Sequence, residues 1–241
     1  RRSPSIVCSA HPLATFDAGC PHRAVPPATE EGPCGAPTFL PPRRSVAAGL
    51  VVYRGRTMIY LVFAHPYPSQ SRANRALFDA VRDLPGVEVC SLYDRYPDFD
   101  IDVAAEQAAL ARAQLVLWMH PVYWYSVPAL LKHWFDKVLA YGWAYGDGNA
   151  ALRGKGCLWV ASTGGTREAY AATGIHERPF GEFSRPIEET ARFCRMIWLE
   201  PFIVHGAHEI DEVELAAHAL RLRERLQAWL AARDERAGSS P

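Results

Sequence analysis

The sequence predicts an α/β fold in which one parallel sheet of five strands is covered by helices on both faces. From residue 58 onward, short apolar runs of strand length alternate with longer stretches of helical period. Strands that are separated by helices pair in parallel through right-handed crossovers, and these crossovers place helices on both faces of the sheet. No internal repeat competes with this arrangement.

The apolar runs give the strands, and the segments between them give the helices. Asp102 is a suitable N-cap for the second helix, and Pro128 suits the first turn of the third helix. Leu215, Leu222 and Leu226 lie on related faces of the last helix. The predicted strands span residues 59–64, 87–92, 115–119, 157–161 and 202–204, and the predicted helices span residues 71–83, 103–113, 128–140, 186–196 and 212–232.

Residues 1–57 differ from the rest of the chain. Nine of the 19 prolines lie there, and no strand or helix period lasts for more than a few positions. We therefore expect a disordered extension or upstream translated sequence over residues 1–57, with an Arg-rich transit peptide as the alternative. One domain is expected over residues 58–235, followed by a short tail over residues 236–241.

Charge and cysteine usage exclude several classes of function. Seven of the 26 basic and three of the 26 acidic residues precede residue 58, so the remainder carries a net charge of about −4 and no nucleic-acid partner is expected. No apolar run approaches the roughly 18 residues of a membrane span. Cys90 and Cys157 lie in apolar runs without C-x-x-C spacing, which is typical of buried free thiols in a reducing cytoplasm. His205 and His208 have no further ligand beside them, so no metal site is expected.

The candidate site lies at the carboxyl ends of the strands. Open parallel sheets bind ligands outside those ends, at the point where the strand order reverses. In the order 2-1-3-4-5 that point lies between strands one and three. The loops that follow the first, third and fourth strands are therefore the ones that matter.

The first of these loops, residues 65–74, brings hydroxyls, an amide and a histidine to the N-terminus of a helix. Backbone N–H groups and the helix dipole favour a phosphate at such a place. Neither G-x-G-x-x-G nor a complete P-loop motif occurs in the sequence. The alternative is an ordinary helix cap by Ser71.

The other two loops suit a flat ring. Tyr123, Trp124 and Tyr125 follow one another at a strand end, where successive side chains cannot all point inward, so they favour a ligand with apolar faces or an exposed interface. Gly164 and Gly165 let backbone N–H groups approach a ligand closely, although a plain turn explains them equally well. Together, a phosphate loop, an aromatic loop and a glycine loop are what a flavin mononucleotide needs.

Three motifs in these loops carry a resemblance to a known family. They are A-H-P-x-x-x-S-x-x-N at residues 64–74, H-P-V-Y-W-Y-S-V-P at residues 120–128 and T-G-G at residues 163–165. From residue 58 to about residue 230 the chain resembles the flavodoxin-fold NAD(P)H:quinone oxidoreductases. Through residues 96–102, 130–138 and 142–146 it is similar to the ancillary subunits of glutathione-gated potassium-efflux systems.

The resemblance implies a flavodoxin-like three-layer fold and a role for each loop. Residues implied in flavin binding are His65, Ser71, Arg72, Ala73 and Asn74 for the phosphate and ribityl chain, Val122, Tyr123, Trp124 and Tyr125 for the isoalloxazine ring, and Ser162, Thr163, Gly164 and Gly165 for its pyrimidine edge. Tyr170 and His176 match the family's proton relay, which places them as catalytic. For Tyr170 the alternative is a residue of the pocket wall.

The implied function is hydride transfer from NADPH or NADH to a quinone through FMN, with FAD as the alternative flavin. A homodimer is expected, because the family completes its active site across a twofold axis. The third helix, with Trp134, Phe135 and Val138, is a candidate interface or core packing. A potassium/proton antiporter is the implied membrane partner, which places the protein in the cytoplasm or at the inner face of the membrane. The alternatives are a regulatory subunit with little turnover and a one-electron carrier.

Overall fold

A computed structural model of the chain describes residues 58–146 and 151–238, with side chains described as far as residue 233. The strands are β1 (Ile59–Phe63), β2 (Val87–Ser91), β3 (Leu115–Pro121), β4 (Gly156–Ser162), β5 (Ile197–Trp198) and β6 (Phe202–Val204). The α-helices are α1 (Ala73–Val81), α2 (Leu92–Arg95), α3 (Val103–Arg112), α4 (Ala129–Val138), α5 (Gly181–Phe193) and α6 (Glu212–Gly238). Short 3-10 turns occupy Pro68–Gln70 and Glu168–Tyr170.

The strands form one parallel sheet in the order β2-β1-β3-β4-β5, with β6 also paired to β4. The predicted fold class and strand order are thereby confirmed. Two short segments occupy the place of the fifth strand in the sheet: Ile197–Trp198 pairs with the start of β4, and Phe202–Val204 pairs with its end. Pro201 lies between the two segments and has no backbone N–H to continue the ladder.

Each face of the sheet has its own apolar core. On β1, Tyr60 and Val62 point to the core beneath α3, α4 and α5, whereas Ile59 and Leu61 point to the core beneath α1 and α6. This division follows from the two-residue period of a strand. The result is three layers, with the carboxyl ends of β1, β3 and β4 meeting at one edge.

One buried carboxylate ties the elements of the first core together. Glu106 on α3 is fully buried and accepts hydrogen bonds from the Tyr60 hydroxyl (2.7 Å), the Tyr96 hydroxyl (2.7 Å) and the Trp134 indole Nε1 (2.8 Å). Arg95 Nη1 lies 3.5 Å from the same carboxylate. Burial, together with this carboxylate, raises the pKa of Tyr60 and of Tyr96. Both phenols therefore remain donors at neutral pH.

Several helix and strand boundaries in the structure differ from the predicted ones. The Asp102 N-cap is confirmed, since its carboxylate accepts from the Ala105 N–H at 2.9 Å. The start predicted for the fourth helix at Pro186 is wrong: α5 begins at Gly181 and accommodates the proline inside at the cost of one backbone hydrogen bond. β3 runs on to Pro121, so His120 and Pro121 belong to the strand rather than to the loop.

Two predictions about side chains are settled by burial. Cys90 and Cys157 are buried free thiols, as predicted. Trp134, Phe135 and Val138 are buried in the first core, so of the two alternatives for this helix core packing is the one observed.

The prediction for residues 1–57 lies outside the described residues, and the domain limits at 58 and 235 stay predictions. Among the helices described, none is long and apolar enough to cross a membrane.

Candidate functional site

Buried polar side chains are concentrated at one end of the sheet. Six polar side chains are buried in the described part of the chain, and five of them lie at or just beyond the carboxyl ends of β1, β3 and β4. Glu106 is the exception. The five are His65, Asn74, His120, Ser162 and Thr163. Because buried polar groups cost free energy unless they are paired, such a concentration indicates a binding site.

A cavity of about 400 Å³ opens at this end of the sheet. Nine of the predicted flavin-binding residues line it: His65, Ser71, Arg72, Ala73, Asn74, Val122, Tyr123, Ser162 and Gly164. Trp124, Tyr125, Thr163 and Gly165 do not line it directly. Five lining residues were missed by the sequence analysis, namely Tyr67, Gln70, Pro121, Ala207 and His208.

His65 is held in one neutral form at the cavity wall. The Tyr67 backbone N–H donates to His65 Nδ1 at 3.0 Å, so this nitrogen carries no proton. Burial lowers the pKa of the imidazole, which is consistent with the neutral form. The remaining proton is on Nε2, which leaves His65 with one N–H to donate to a ligand.

The start of α1 supplies further donors. The first turn of an α-helix leaves backbone N–H groups without an intrahelical acceptor. Ser71 Oγ accepts one of them, from Asn74 at 3.2 Å, so the predicted alternative of a capping Ser71 is also observed. The other N–H groups at this terminus remain available to an anion in the cavity.

The Asn74 side chain is only half satisfied. It is 2% exposed, and its Nδ2 donates to Ser162 Oγ at 2.7 Å. Its Oδ1 has no hydrogen-bond partner among the described residues. Within residues 58–146 and 151–233, the only other buried side-chain nitrogen or oxygen without a partner is Trp118 Nε1, which does not line the cavity. Asn74 Oδ1 therefore needs a donor that a ligand in the cavity can supply.

Arg72 is turned toward the start of α6. Its guanidinium donates to the Ile210 carbonyl at 3.1 Å and pairs with the Glu212 carboxylate. Both partners of this ion pair are largely exposed, so it contributes little to stability. In this arrangement Arg72 tethers the loop of residues 65–74 to the segment that follows β6.

At the end of β3, His120 has both of its ring nitrogens in hydrogen bonds. His120 is fully buried, its Nδ1–H donates to the Pro121 carbonyl at 2.9 Å, and its Nε2 accepts from Trp159 Nε1 at 2.7 Å. Burial lowers the pKa of His120 to about 4. The ring is therefore neutral at pH 7 and fixes the end of β3 against β4.

The three consecutive aromatics form a tight, exposed turn. Tyr123 and Ser126 exchange two backbone hydrogen bonds of 3.1 and 3.0 Å, and between them Trp124 (φ 48°) and Tyr125 (φ 61°) adopt the left-handed conformation. Residues other than glycine rarely adopt this backbone conformation, and such strain is found mostly at functional sites. Trp124 is 92% exposed and Tyr125 48% exposed, so these rings are available for contact.

The glycine loop lies next to the two predicted catalytic residues. A Cβ at Gly165 would lie 3.2 Å from Tyr170 Cε2 and 3.4 Å from His176 Nε2, so a larger residue would fit only if these side chains shifted by a few tenths of an ångström. The Tyr170 and His176 rings stack with centroids 4.4 Å apart, and the Tyr125 hydroxyl lies 3.4 Å from His176 Nδ1. The structure thus places Tyr170, His176 and Tyr125 together beside Gly165.

Ala207 and His208 belong to the segment after β6, which the sequence analysis considered only as a metal site. Their position just past the carboxyl end of the fifth strand could have identified these two residues from the sequence, because the carboxyl ends of all parallel strands lie at the same edge of the sheet. In the structure His208 is in the cavity wall next to Gly164. Among the described residues no group of three or more metal-ligating side chains is found.

Comparison with known proteins decides the family. A family model described as flavodoxin-like fold matches residues 57–226. The chain belongs to the flavodoxin-like fold family. This confirms the resemblance inferred from the three loop motifs.

Several known proteins are similar to the chain over most of their length. The glutathione-regulated potassium-efflux system ancillary protein KefF from Citrobacter koseri is 51% identical over 172 residues, which are 71% of this chain and 97% of that protein. General stress protein 14 of Treponema denticola, solved in complex with FMN, is 36% identical with a TM-score of 0.65, over 73% of this chain and 98% of that one. An NADPH-quinone reductase from P. pentosaceus is 27% identical with a TM-score of 0.64, over 70% of this chain and 96% of that one.

Proposed function

We propose that the chain is a flavin-dependent NAD(P)H:quinone oxidoreductase. The observation that carries the proposal is a cavity lined by buried polar side chains at one end of the sheet, with the Tyr170–His176 pair packed against Gly165, the neighbour of the lining residue Gly164. The likeness to a solved NADPH-quinone reductase and to a solved FMN complex supports it. FMN is the proposed flavin, with FAD as the alternative, and NADPH or NADH is the proposed electron donor.

The residues of the cavity fit the phosphate and ribityl chain of FMN. His65 Nε2–H and the free N–H groups at the start of α1 are donors for a phosphate, and a ribityl hydroxyl is the donor that Asn74 Oδ1 lacks. A volume of about 400 Å³ lies within the usual range of about 300–1,000 Å³ for ligand pockets. When bound, FMN would supply the acceptor and donor of hydride.

The aromatic and glycine loops would hold the ring system. Val122, Tyr123 and Gly164 line the cavity. The Tyr123 hydroxyl stays protonated at neutral pH, because burial raises its pKa. Backbone N–H groups of the glycine loop are suited to carbonyl oxygens at a ring edge, since glycine allows the close approach. Trp124 and Tyr125 would cover an apolar face.

Tyr170 and His176 are the proposed proton donors. Reduction of a quinone to a hydroquinone adds one hydride and one proton, and negative charge develops on the oxygen that awaits the proton. The Tyr170 hydroxyl carries its proton at neutral pH, as phenols ordinarily do, and burial raises its pKa further, so the proton is present to be donated. A positioned donor of this kind typically contributes about 10²–10⁴-fold to the rate.

A second role is supported by the ancillary proteins among the relatives. Identity of 51% over 97% of KefF favours a regulatory role beside a membrane partner, proposed here as a potassium/proton antiporter. The proposal then includes a cytoplasmic protein, a homodimer and a docking function that does not depend on turnover. Both roles can belong to one protein.

The test of the reductase proposal is a visible absorption spectrum of the purified full chain, followed by anaerobic addition of NADPH. We expect a flavin band that bleaches with NADPH and returns when a quinone is added. If the protein stays colourless after FMN and FAD are each supplied, the reductase proposal is wrong and the ancillary role alone remains.

A further inference from the structure

Thr163 joins the glycine loop to the segment after β6. Its N–H donates to the Val204 carbonyl at 2.9 Å, and its carbonyl accepts from the Ala207 N–H at 2.9 Å. The Gly206 N–H donates to the Gly165 carbonyl, also at 2.9 Å. Three backbone hydrogen bonds thus hold the end of the glycine loop beside the chain around His205.

The side chain of Thr163 adds a fourth link whose direction can be worked out. Thr163 is 1% exposed, and its hydroxyl donates to the Gly165 carbonyl at 2.7 Å. A hydroxyl has one proton, and this bond uses it. The 2.9 Å contact between Thr163 Oγ1 and His205 Nδ1 must therefore have the histidine as donor. His205 is fixed with its proton on Nδ1.

The surroundings of His205 keep it in that neutral form and in place. Burial, helped by the nearby Arg167 guanidinium, lowers the pKa of His205 to about 4, against a weaker opposite effect of Glu168. Its ring packs edge-on against Phe180 with centroids 5.0 Å apart, and against Tyr170 at 5.4 Å. The same histidine therefore contacts the glycine loop on one side and the wall that carries Tyr170 on the other.

We propose that His205 is a positioning residue: by donating from Nδ1 to the Thr163 hydroxyl it fixes that hydroxyl on the Gly165 carbonyl and holds the loop of residues 162–165 in its binding conformation. The value of this loop for flavin binding rests on the proposed function. The holding of the loop itself does not, because every contact in the argument lies within the chain.

Two substitutions separate the hydrogen bond from simple packing. His205→Asn places an amide N–H where Nδ1–H stands and keeps the donor, whereas His205→Leu fills similar space without a donor. Thr163→Val removes the acceptor, and the double variant His205→Leu/Thr163→Val completes a cycle that measures coupling between the two side chains.

Two measurements are made on each variant of the full chain. The first is hydrogen–deuterium exchange of the backbone amides of residues 162–166 without cofactor, and the second is the dissociation constant for oxidised FMN by fluorescence quenching. We expect faster exchange in both single variants, with FMN binding about tenfold weaker in His205→Leu, which loses one neutral hydrogen bond, and weaker still in Thr163→Val, which also loses the bond to the Gly165 carbonyl. His205→Asn should restore both, and the double variant should be no worse than Thr163→Val.

The outcomes are distinct. If His205→Asn exchanges as fast as His205→Leu, or if the two single effects add in the double variant, the positioning role is wrong. If the wild type binds no FMN while the exchange cycle shows the expected coupling, the proposed flavin function fails and the positioning role stands.

Discussion

Two buried polar side chains of this protein, Glu106 and Asn74, differ in how completely they are satisfied. Glu106 lies under the sheet in the first core, and three side-chain donors surround its carboxylate at 2.7–2.8 Å. Asn74 lies at the carboxyl edge of the sheet, and one end of its amide has no partner among the described residues.

The difference shows what each buried group is for. A buried carboxylate whose hydrogen-bond capacity is filled by the protein serves the fold, because nothing is left over for a ligand. A buried amide with an unpaired acceptor beside a cavity destabilises the fold by itself. A ligand that donates a hydrogen bond to this acceptor offsets the loss. Burial by itself does not distinguish the two cases; the hydrogen-bond inventory does.

The largest effect is expected from Glu106→Ala. The change removes the acceptor of four buried donors, the Tyr60 and Tyr96 hydroxyls, the Trp134 indole N–H and the Cys90 thiol, and should lower the free energy of unfolding by about 3–5 kcal/mol, since breaking a buried charged network is strongly destabilising. Denaturant unfolding measures it. Glu106→Gln, which keeps an acceptor, is the matched control and should lose less. A loss below about 1 kcal/mol in Glu106→Ala would show that the network is not structural.

Acid should weaken the fold through His120, a buried group that is satisfied only while neutral. The unfolded chain takes up a proton near pH 6.5 but the folded chain only near pH 4. As the pH falls through this window the unfolded state binds more protons, so unfolding becomes easier, by up to about 3 kcal/mol from this residue.

The measurement is the free energy of unfolding at pH 7 and at pH 5 for wild type and His120→Asn. The variant should show a smaller pH dependence. Part of the pH dependence should remain in the variant, with the same sign, because the pKa values of His65 and His205 are also lowered. An unchanged pH dependence would contradict the assignment to His120.

Asn74→Leu should separate binding from folding. The substitution removes the open acceptor and leaves Ser162 Oγ without its donor, so we expect FMN binding to weaken by about 10–100-fold and stability to fall by only about 1 kcal/mol. Ser162→Ala keeps the Asn74 carbonyl and should weaken binding less. FMN titration and thermal unfolding of both variants decide the matter; equal FMN affinity in wild type and Asn74→Leu would refute the role of Oδ1.

The smallest effect is expected at Trp124, whose ring makes little contact in the described part of the chain. Trp124→Ala should change the free energy of unfolding by no more than about 0.5 kcal/mol, as for most exposed positions. Trp124→Gly should be more stable than Trp124→Ala by about 1 kcal/mol, because glycine adopts positive φ without strain. Comparing the two by denaturant unfolding isolates the backbone term, and the opposite order would show that the turn is not strained.

The sequence was informative where local rules agree with the fold. Alternating apolar runs and helical stretches predicted the parallel sheet, the order expected for a flavodoxin-like fold is the one observed, and Asp102 capped the helix as its position suggested. Pro186 misled because proline is frequent in the first helical turn, yet it stands inside α5. The break between β5 and β6 has a local cause in the sequence, Pro201. That both segments pair with β4 depends on the tertiary structure.

For the site, the amino-acid order determined which loops would meet, because parallel strands deliver their carboxyl ends to one edge whatever their side chains. Only the tertiary structure decided that Asn74 keeps an open acceptor, that Arg72 turns to Glu212, and that His205 donates to Thr163. Each of these three arrangements depends on contacts between segments that are far apart in the chain. Hydrogen-bond direction depends on which groups compete for one proton, and that competition exists only after folding has brought them together.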